Sequence, residues 1–245
     1  MVLHDNQVGA CLRCKFFDEC PCRKMIDQHR VSWNLIDTVL LDMDGTLLDL
    51  HFDNYFWRHH LPAAYARKHG LTVAEAEQII FAQFADQQST LNWYCLDYWG
   101  KQLELDIVAL KKEVQHLIAV RPGATEFLQF LQKKGKRLIL ITNAHRDSLD
   151  LKMQRTDISC WFDRLISAHD VGHPKESSLF WRALADMELF APDRTLFIDD
   201  THSILDAARE VGIAHVFGIA MPDSKGDARD HPSYPLIQHF SELWG

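Results

Sequence analysis

The sequence predicts an α/β protein, a doubly wound parallel sheet with an α-helical cap inserted into it. Three observations carry that prediction. Residues 38–41, 138–141 and 195–198 are near-continuous apolar runs, the pattern of strands covered on both faces. From Arg121 onward, helix-period segments alternate with such runs, the order of a parallel sheet with crossover helices. Between the first strand and Arg121, helical patterns follow one another with no strand among them. The expected organisation is an N-terminal tail over residues 1–30, a sheet-bearing core over 31–50 and 120–245, and a cap over 51–119.

Taken in order, the first strand covers residues 37–42 and leaves as a loop over 44–53. A helix over 54–69 stops at Gly70, and Thr72 with Glu75 forms a capping box for the next. That helix puts Ala76, Ile79, Ile80 and Phe84 on one face. Residues 90–103 hold Trp93, Tyr94, Tyr98 and Trp99, and Asp106 caps a fourth helix striped by Ile107, Leu110, Val114, Leu117 and Ile118. Arg121-Pro122-Gly123 returns the chain to the core. A helix over 124–134, a strand over 137–141, a helix over 148–155 and a strand over 164–167 follow. A helix over 174–187 with Pro174 in its first turn comes next, then a strand over 195–198 and a helix over 204–211 closed by Gly212. Residues 213–217 read as the last strand, 218–233 as a loop and 235–243 as a terminal helix.

Composition bounds the function. A chain of 245 residues, 47% hydrophobic and 24% charged, can bury a substantial core. A net charge of −8 gives no electrostatic reason to bind nucleic acid or an anionic membrane, and it obliges any phosphate site to rely on local cations. No apolar run reaches membrane-spanning length and the N-terminus lacks a signal-peptide apolar stretch, so the expectation is a cytoplasmic protein; the sequence leaves its oligomeric state open, with a monomer favoured. Cys11, Cys14, Cys20 and Cys22 could hold zinc or an iron–sulfur centre. Their spacing is not a zinc-ribbon pattern and no histidine closely follows, which favours a cysteine-bearing tail or a stretch upstream of a start at Met25. Cys95 and Cys160 are expected to be buried small hydrophobes.

The chemistry concentrates where strands end. The first apolar run stops in Asp42-Met43-Asp44-Gly45-Thr46, the second in Thr142-Asn143, and the third in Asp199-Asp200, while Lys175 stands at a helix start after another strand. Each taken alone is ordinary turn composition. Four on one edge of a sheet, where open α/β folds place their ligands, are not.

Asp42-x-Asp44-Gly45-Thr46 with these later segments resembles the haloacid dehalogenase superfamily from about residue 37 to 219. More narrowly the chain resembles the bacterial GMP/IMP 5′-nucleotidase branch. The residues behind that likeness are Phe52-Asp53-Asn54-Tyr55-Phe56-Trp57, the run from Thr90 to Trp99, Thr142-Asn143-Ala144-His145, Pro174-Lys175-Glu176 and the run from Arg194 to Asp200. The resemblance implies a Rossmannoid phosphatase with an inserted helical cap, hydrolysing purine nucleoside monophosphates. Two features depart from the pattern: the cysteine tail, and Ile204 where many members carry an acidic or Asn residue.

Phosphoryl transfer then assigns expected roles. Asp42 is the nucleophile and Asp44 the general acid and base. Mg²⁺ is expected on Asp42, Asp200 and the backbone carbonyl of Asp44, with Asp199 behind it. Lys175 holds the phosphate and keeps Asp42 ionised, and Thr142 and Asn143 donate to phosphate oxygens. His51, Asp53, Asn54 and Asn92 are the polar cap residues expected to choose among substrates, and the cap aromatics are expected to be mostly core. His145 and His173 flank motif positions and could touch substrate. The alternatives are a sugar-phosphate phosphatase or phosphomutase, a dehalogenase, and a non-catalytic phosphate binder.

Overall fold

A computed structural model describes residues 31–230 and 233–244; the four clustered N-terminal cysteines lie outside the described residues. The sheet has six strands: β1 Thr38–Leu41, β2 Arg137–Thr142, β3 Arg164–Ser167, β4 Thr195–Asp199, β5 His215–Ile219 and β6 Leu236–Ile237. Their order is β3-β2-β1-β4-β5-β6, with every pairing parallel. The chain therefore winds outward from β1 in both directions, and the crevice beside β1 is the switch point that doubly wound sheets use for ligands. In register, Leu41 lies opposite Leu140 of β2 and Ile198 of β4, so the residues after all three strands emerge together.

Continuous apolar runs are required because alternate residues enter two different layers. Val39, Leu41, Leu138 and Leu140 pack with Phe127, Leu131 and Leu149 on one face. Leu40, Ile139, Ile141 and Phe197 pack with Phe180, Trp181 and Leu205 on the other. Burying each such side chain contributes about 1.5–3 kcal/mol, and truncating Phe197 to Ala would cost about 3–5 kcal/mol.

The helices between β1 and β2 are His51–Tyr55, Leu61–His69, Val73–Ala85, Leu96–Leu103 and Ile107–Glu113. The first two are joined by a π-type segment, Phe56–His60, and Gly70 ends the run with φ 66°. The capping box is formed: the Thr72 side chain accepts from the Glu75 N–H while the Glu75 carboxylate accepts from the Thr72 N–H. Asp106 caps as expected, accepting from the Ala109 N–H.

Several expectations are corrected. The first inserted helix starts at His51 rather than 54, because the Asp49 carboxylate accepts the His51 N–H and opens the turn earlier. The helix expected from Pro174 begins at Ser178; the Ser177 hydroxyl accepts the Leu179 N–H, and Lys175 lies in the turn before it. The C-terminal helix is absent from 235–243. Leu236–Ile237 instead pairs with β5 as an edge strand, and the 3₁₀ turn Phe240–Leu243 stacks Phe240 on Phe127 at 4.9 Å. Cys160 is exposed and Cys95 only partly buried, so neither is a core hydrophobe. Among the described residues, no helix is long and apolar enough to cross a membrane.

Candidate active site

The carboxyl edge of the sheet carries a buried cluster around one lysine. Lys175 Nζ donates to Asp42 Oδ1 at 2.6 Å, to Asp199 Oδ2 at 2.7 Å and to the Ile141 carbonyl at 3.2 Å. Burial alone would lower the Lys175 pKa, but Asp199 and Asp42 outweigh it and raise it. The two carboxylates thus favour the charged form of the lysine. Burial pushes Asp42 up to about 6 against the pull of Lys175, and does the same to Asp199. Asp200 is pushed up to about 7 by burial and by the neighbouring Asp42.

The oxygens are not equally engaged. Asp199 uses both: one on Lys175, the other accepting the Thr201 N–H at 2.8 Å. Asp200 accepts from the Thr201 hydroxyl at 3.1 Å and has Arg229 at 3.5 Å. Asp42 Oδ2 is buried with no hydrogen-bond partner, a costly state for a carboxylate oxygen unless something else satisfies it. Oxygens of Asp42, Asp199 and Asp200 lie within 4.8 Å of one another. Gly45 has φ +84° and approaches so closely that an added Cβ would lie 2.7 Å from Asp200. Only glycine lets the loop carrying Asp44 close down on that carboxylate. The donor set is all oxygen and acidic, which suits a hard divalent cation of the Mg²⁺ kind.

Thr142 and Asn143 come to the same edge and line the cavity, and both also hold neighbouring backbone. The Thr142 hydroxyl accepts from the Ala144 N–H at 3.1 Å. Asn143 accepts from the Lys175 backbone N–H at 2.8 Å and donates to Glu176 at 2.9 Å. Glu176 also accepts from the Tyr94 hydroxyl at 2.6 Å. A continuous relay thus links an aromatic of the inserted helices to the turn that holds Lys175.

Asp44 belongs to a second cluster that sequence reasoning missed. Lys152 Nζ donates to Asp44 at 2.7 Å and to Asp53 at 2.6 Å, and Lys111 Nζ donates to Asp53 at 2.8 Å. Burial would raise Asp53, but Lys111 and Lys152 hold it down at about 2, whereas burial prevails at Asp44 and raises it to about 6. Asp53, expected to select substrate, lines the cavity and is also tied to Asp44 through Lys152. A signal for both lysines was present: Lys111 replaces an apolar residue on the Ile107 stripe, and Lys152 stands between Leu151 and Met153 beside buried Leu149. Both are nearly fully buried.

The other cap candidates separate. Asn54 lines the cavity above the carboxylates and donates to Asp223 at 2.7 Å, with His51 at 3.5 Å from the same carboxylate. Asn92 is exposed, donates to Gln87 at 3.1 Å and does not line the cavity. The cavity measures about 810 Å³. Its floor is Asp42, Asp44, Asp199 and Asp200, and its far wall is Trp57, Phe81, Phe84 and Trp93 from the insert. Of the four aromatics expected as core, Trp99 is buried in it and Tyr98 packs against it, while Trp93, Tyr94 and an edge of Trp99 line this space. His145 also lines it, whereas His173 does not.

Comparison with known proteins agrees with this geometry. Residues 36–212 match the model of a hydrolase family described as haloacid dehalogenase-like hydrolase. The chain is 44% identical over 213 residues to "GMP/IMP nucleotidase YrfG" of Escherichia coli, covering 87% of this chain and 96% of that one. It is 23% identical to "Phosphorylated carbohydrates phosphatase" of Thermotoga maritima, covering 79% and 89%. Among solved structures, a HAD phosphatase from Thermococcus onnurineus superposes with TM-score 0.71 at 22% identity, over 84% of this chain and 95% of that chain. With its doubly wound sheet, its carboxylates at the switch point and a family match spanning most of its length, this chain belongs to the haloacid dehalogenase-like hydrolases.

Proposed function

We propose that the protein is a Mg²⁺-dependent phosphomonoesterase that works through Asp42 and acts on purine nucleoside monophosphates. The observation that carries the chemistry is the state of Asp42: one oxygen is held by Lys175, while the other is buried and without a partner beside Asp200. Three carboxylates meet there, two on the Lys175 ammonium and the third with only the half-exposed Arg229 at 3.5 Å, so the buried edge is short of positive charge in a way that a divalent cation fits. Asp42, Asp200 and the Asp44 carbonyl would hold Mg²⁺, with Asp199 supporting from behind. Bound, the ion supplies positive charge that offsets the phosphate dianion and lets an anionic nucleophile approach.

The chain's own residues do the rest. An Asp42 carboxylate oxygen forms a bond to phosphorus as the P–O bond to the leaving group breaks, and Asp44 passes its proton to the departing alkoxide. Water then attacks phosphorus, the P–O bond to Asp42 breaks, and Asp44 takes the proton back. An Asp44 pKa near 6 suits it to both halves of that cycle. Lys175 holds the phosphate oxygens. The Thr142 hydroxyl and the Asn143 amide donate to phosphate oxygens, and the Asn143 side-chain carbonyl, accepting the Lys175 N–H, fixes the turn that aims the lysine.

The substrate class rests on the Escherichia coli relative's name together with the aromatic far wall of Trp57, Phe84 and Trp93, an apolar surface suited to a flat base. Residues 51–119 then act as a cap that closes over the base and excludes water. The Thermotoga maritima relative supports a sugar-phosphate phosphatase as second reading. Phosphate release from GMP, IMP, CMP and glucose 6-phosphate, with Mg²⁺ and with chelator, tests both. Preference for GMP and IMP with loss on chelation is expected; preference for the sugar phosphate would overturn the purine assignment.

A further inference from the structure

Away from the carboxylates, a second set of metal-ligating side chains meets where the inserted helices touch the sheet. Cys95 precedes the helix Leu96–Leu103, His145 precedes the helix Arg146–Thr156 after β2, and His169 lies in the short helix after β3. Each offers one ligand atom within 4.8 Å of the other two. The two imidazole rings stand edge to face, 4.9 Å apart. Neither Cys95 nor His169 has a part in the reaction proposed above.

The surroundings point to a cation. His169 Nε2 is buried and has no hydrogen-bond partner, a state that costs free energy until a partner arrives. Cys95 Sγ accepts the Tyr98 N–H at 3.4 Å as the N-cap of the helix Leu96–Leu103, with the sulfur at the mouth of the cluster. His145 Nδ1 accepts the Asp147 N–H at 3.4 Å, and its Nε2 lies 3.7 Å from the Asp97 carboxylate.

We infer that Cys95, His145 and His169 form a binding site for a thiophilic divalent cation of the zinc class. One thiolate and two imidazoles select zinc over magnesium, and the fourth position falls to water or Asp97. Because Cys95 belongs to the insert while both histidines follow strands, an occupied site ties the inserted helices to the edge of the sheet. The ion is distinct from the one that the carboxylates fit, and the inference is independent of the phosphatase reading.

The test uses the full chain with Cys11, Cys14, Cys20 and Cys22 replaced by serine, which silences the tail, and Mg²⁺ in excess, which fills the all-oxygen site. Titration with Co²⁺ is expected to give a sulfur-to-cobalt charge-transfer band in the near ultraviolet that saturates at a single equivalent and is displaced by Zn²⁺. Cys95→Ser should remove the band, and His169→Gln should weaken Co²⁺ binding by at least about tenfold. Absence of the band, or its survival in Cys95→Ser, overturns the site. A second measurement needs no variant of the ligands: Zn²⁺ should slow alkylation of Cys95 relative to exposed Cys160, read by peptide mass spectrometry. Equal slowing of both, or of neither, also overturns it.

Discussion

Two buried charge clusters lie side by side at the carboxyl edge of the sheet, and they are built on opposite terms. Around Lys175, Asp42 and Asp199 share one ammonium and Asp200 stands beside them with only Arg229, at the rim, for a cation. Around Lys152, carboxylate and ammonium alternate as Asp44–Lys152–Asp53–Lys111, two of each sign. The second cluster is electrically closed and spans from the core into the insert. The first is short of positive charge and leaves a buried oxygen of Asp42 unpaired. Uncompensated buried charge costs several kcal/mol, so the deficient cluster is the one poised for a cation and an anionic substrate. The balanced one holds Asp44 in place beside it.

The sharpest way to break this contrast is to remove the unpaired carboxylate. Asp42→Asn should lower phosphate release by about four orders of magnitude or more while far-ultraviolet dichroism is unchanged. Activity near that of the unmodified protein would mean that the deficient cluster is not the reaction centre.

Next in size is the balanced cluster. Lys152→Met leaves Asp44 and Asp53 facing each other across a buried gap, and should destabilise the fold by about 3–5 kcal/mol in urea unfolding. Saturating Mg²⁺ should not restore that loss. In Lys175→Met, by contrast, Mg²⁺ should recover much of the stability, because there the cation replaces the missing charge.

Magnesium and pH sharpen the comparison further. Mg²⁺ at about 100 times its Kd should stabilise the unmodified protein by about 2.7 kcal/mol, and much less in Asp200→Asn. Asp42 and Asp199 are raised to about 6 and Asp200 to about 7 in the fold, against an unfolded value near 3.8. The folded state therefore holds these protons more tightly. Their contribution is fully present below about pH 4 and is lost as pH rises through 6 to 7. Asp44, also raised to about 6, acts in the same direction. Asp53, held at about 2, acts oppositely: its contribution is present above about pH 4 and is lost as pH falls towards 2. Thermal unfolding across this range with chelator should show both limbs, and Mg²⁺ should flatten only the upper one.

The smallest expected effects lie on the far wall. Phe81→Ala removes a half-exposed ring that lines the cavity, and Asn54→Ala removes the contact to Asp223. Each should lower kcat/KM for GMP by about fivefold to tenfold, about 1 kcal/mol, and change a small aryl phosphate less. Parallel losses on GMP, CMP and the aryl ester would make the wall a water shield and not a base-binding surface.

Much of the molecule was legible in its sequence because the signals involved are local. Apolar runs, the Thr72 capping box, Gly70 and the Asp106 cap each depend on residues within one turn or one strand, and each formed where expected. The strand-end residues Asp42, Asp44, Lys175, Asp199 and Asp200 could be placed together because a parallel sheet brings every strand's carboxyl end to one edge. What sequence could not supply was pairing across long separations. Lys152 meets Asp44 and Asp53 only because the helix after β2 packs against the insert, and no spacing rule links those positions. Leu236–Ile237 became a strand because β5 offered an open edge, overriding a local helical pattern. Tyr94 found Glu176, and Cys95 found His145 and His169, across the same seam. The sequence by itself determined the elements and the identity of the edge carboxylates, since these follow from short-range periodicity and backbone chemistry. Only the tertiary structure decided which charges neutralise one another and which remain open, because that balance is set by distances and burial between segments far apart in the chain.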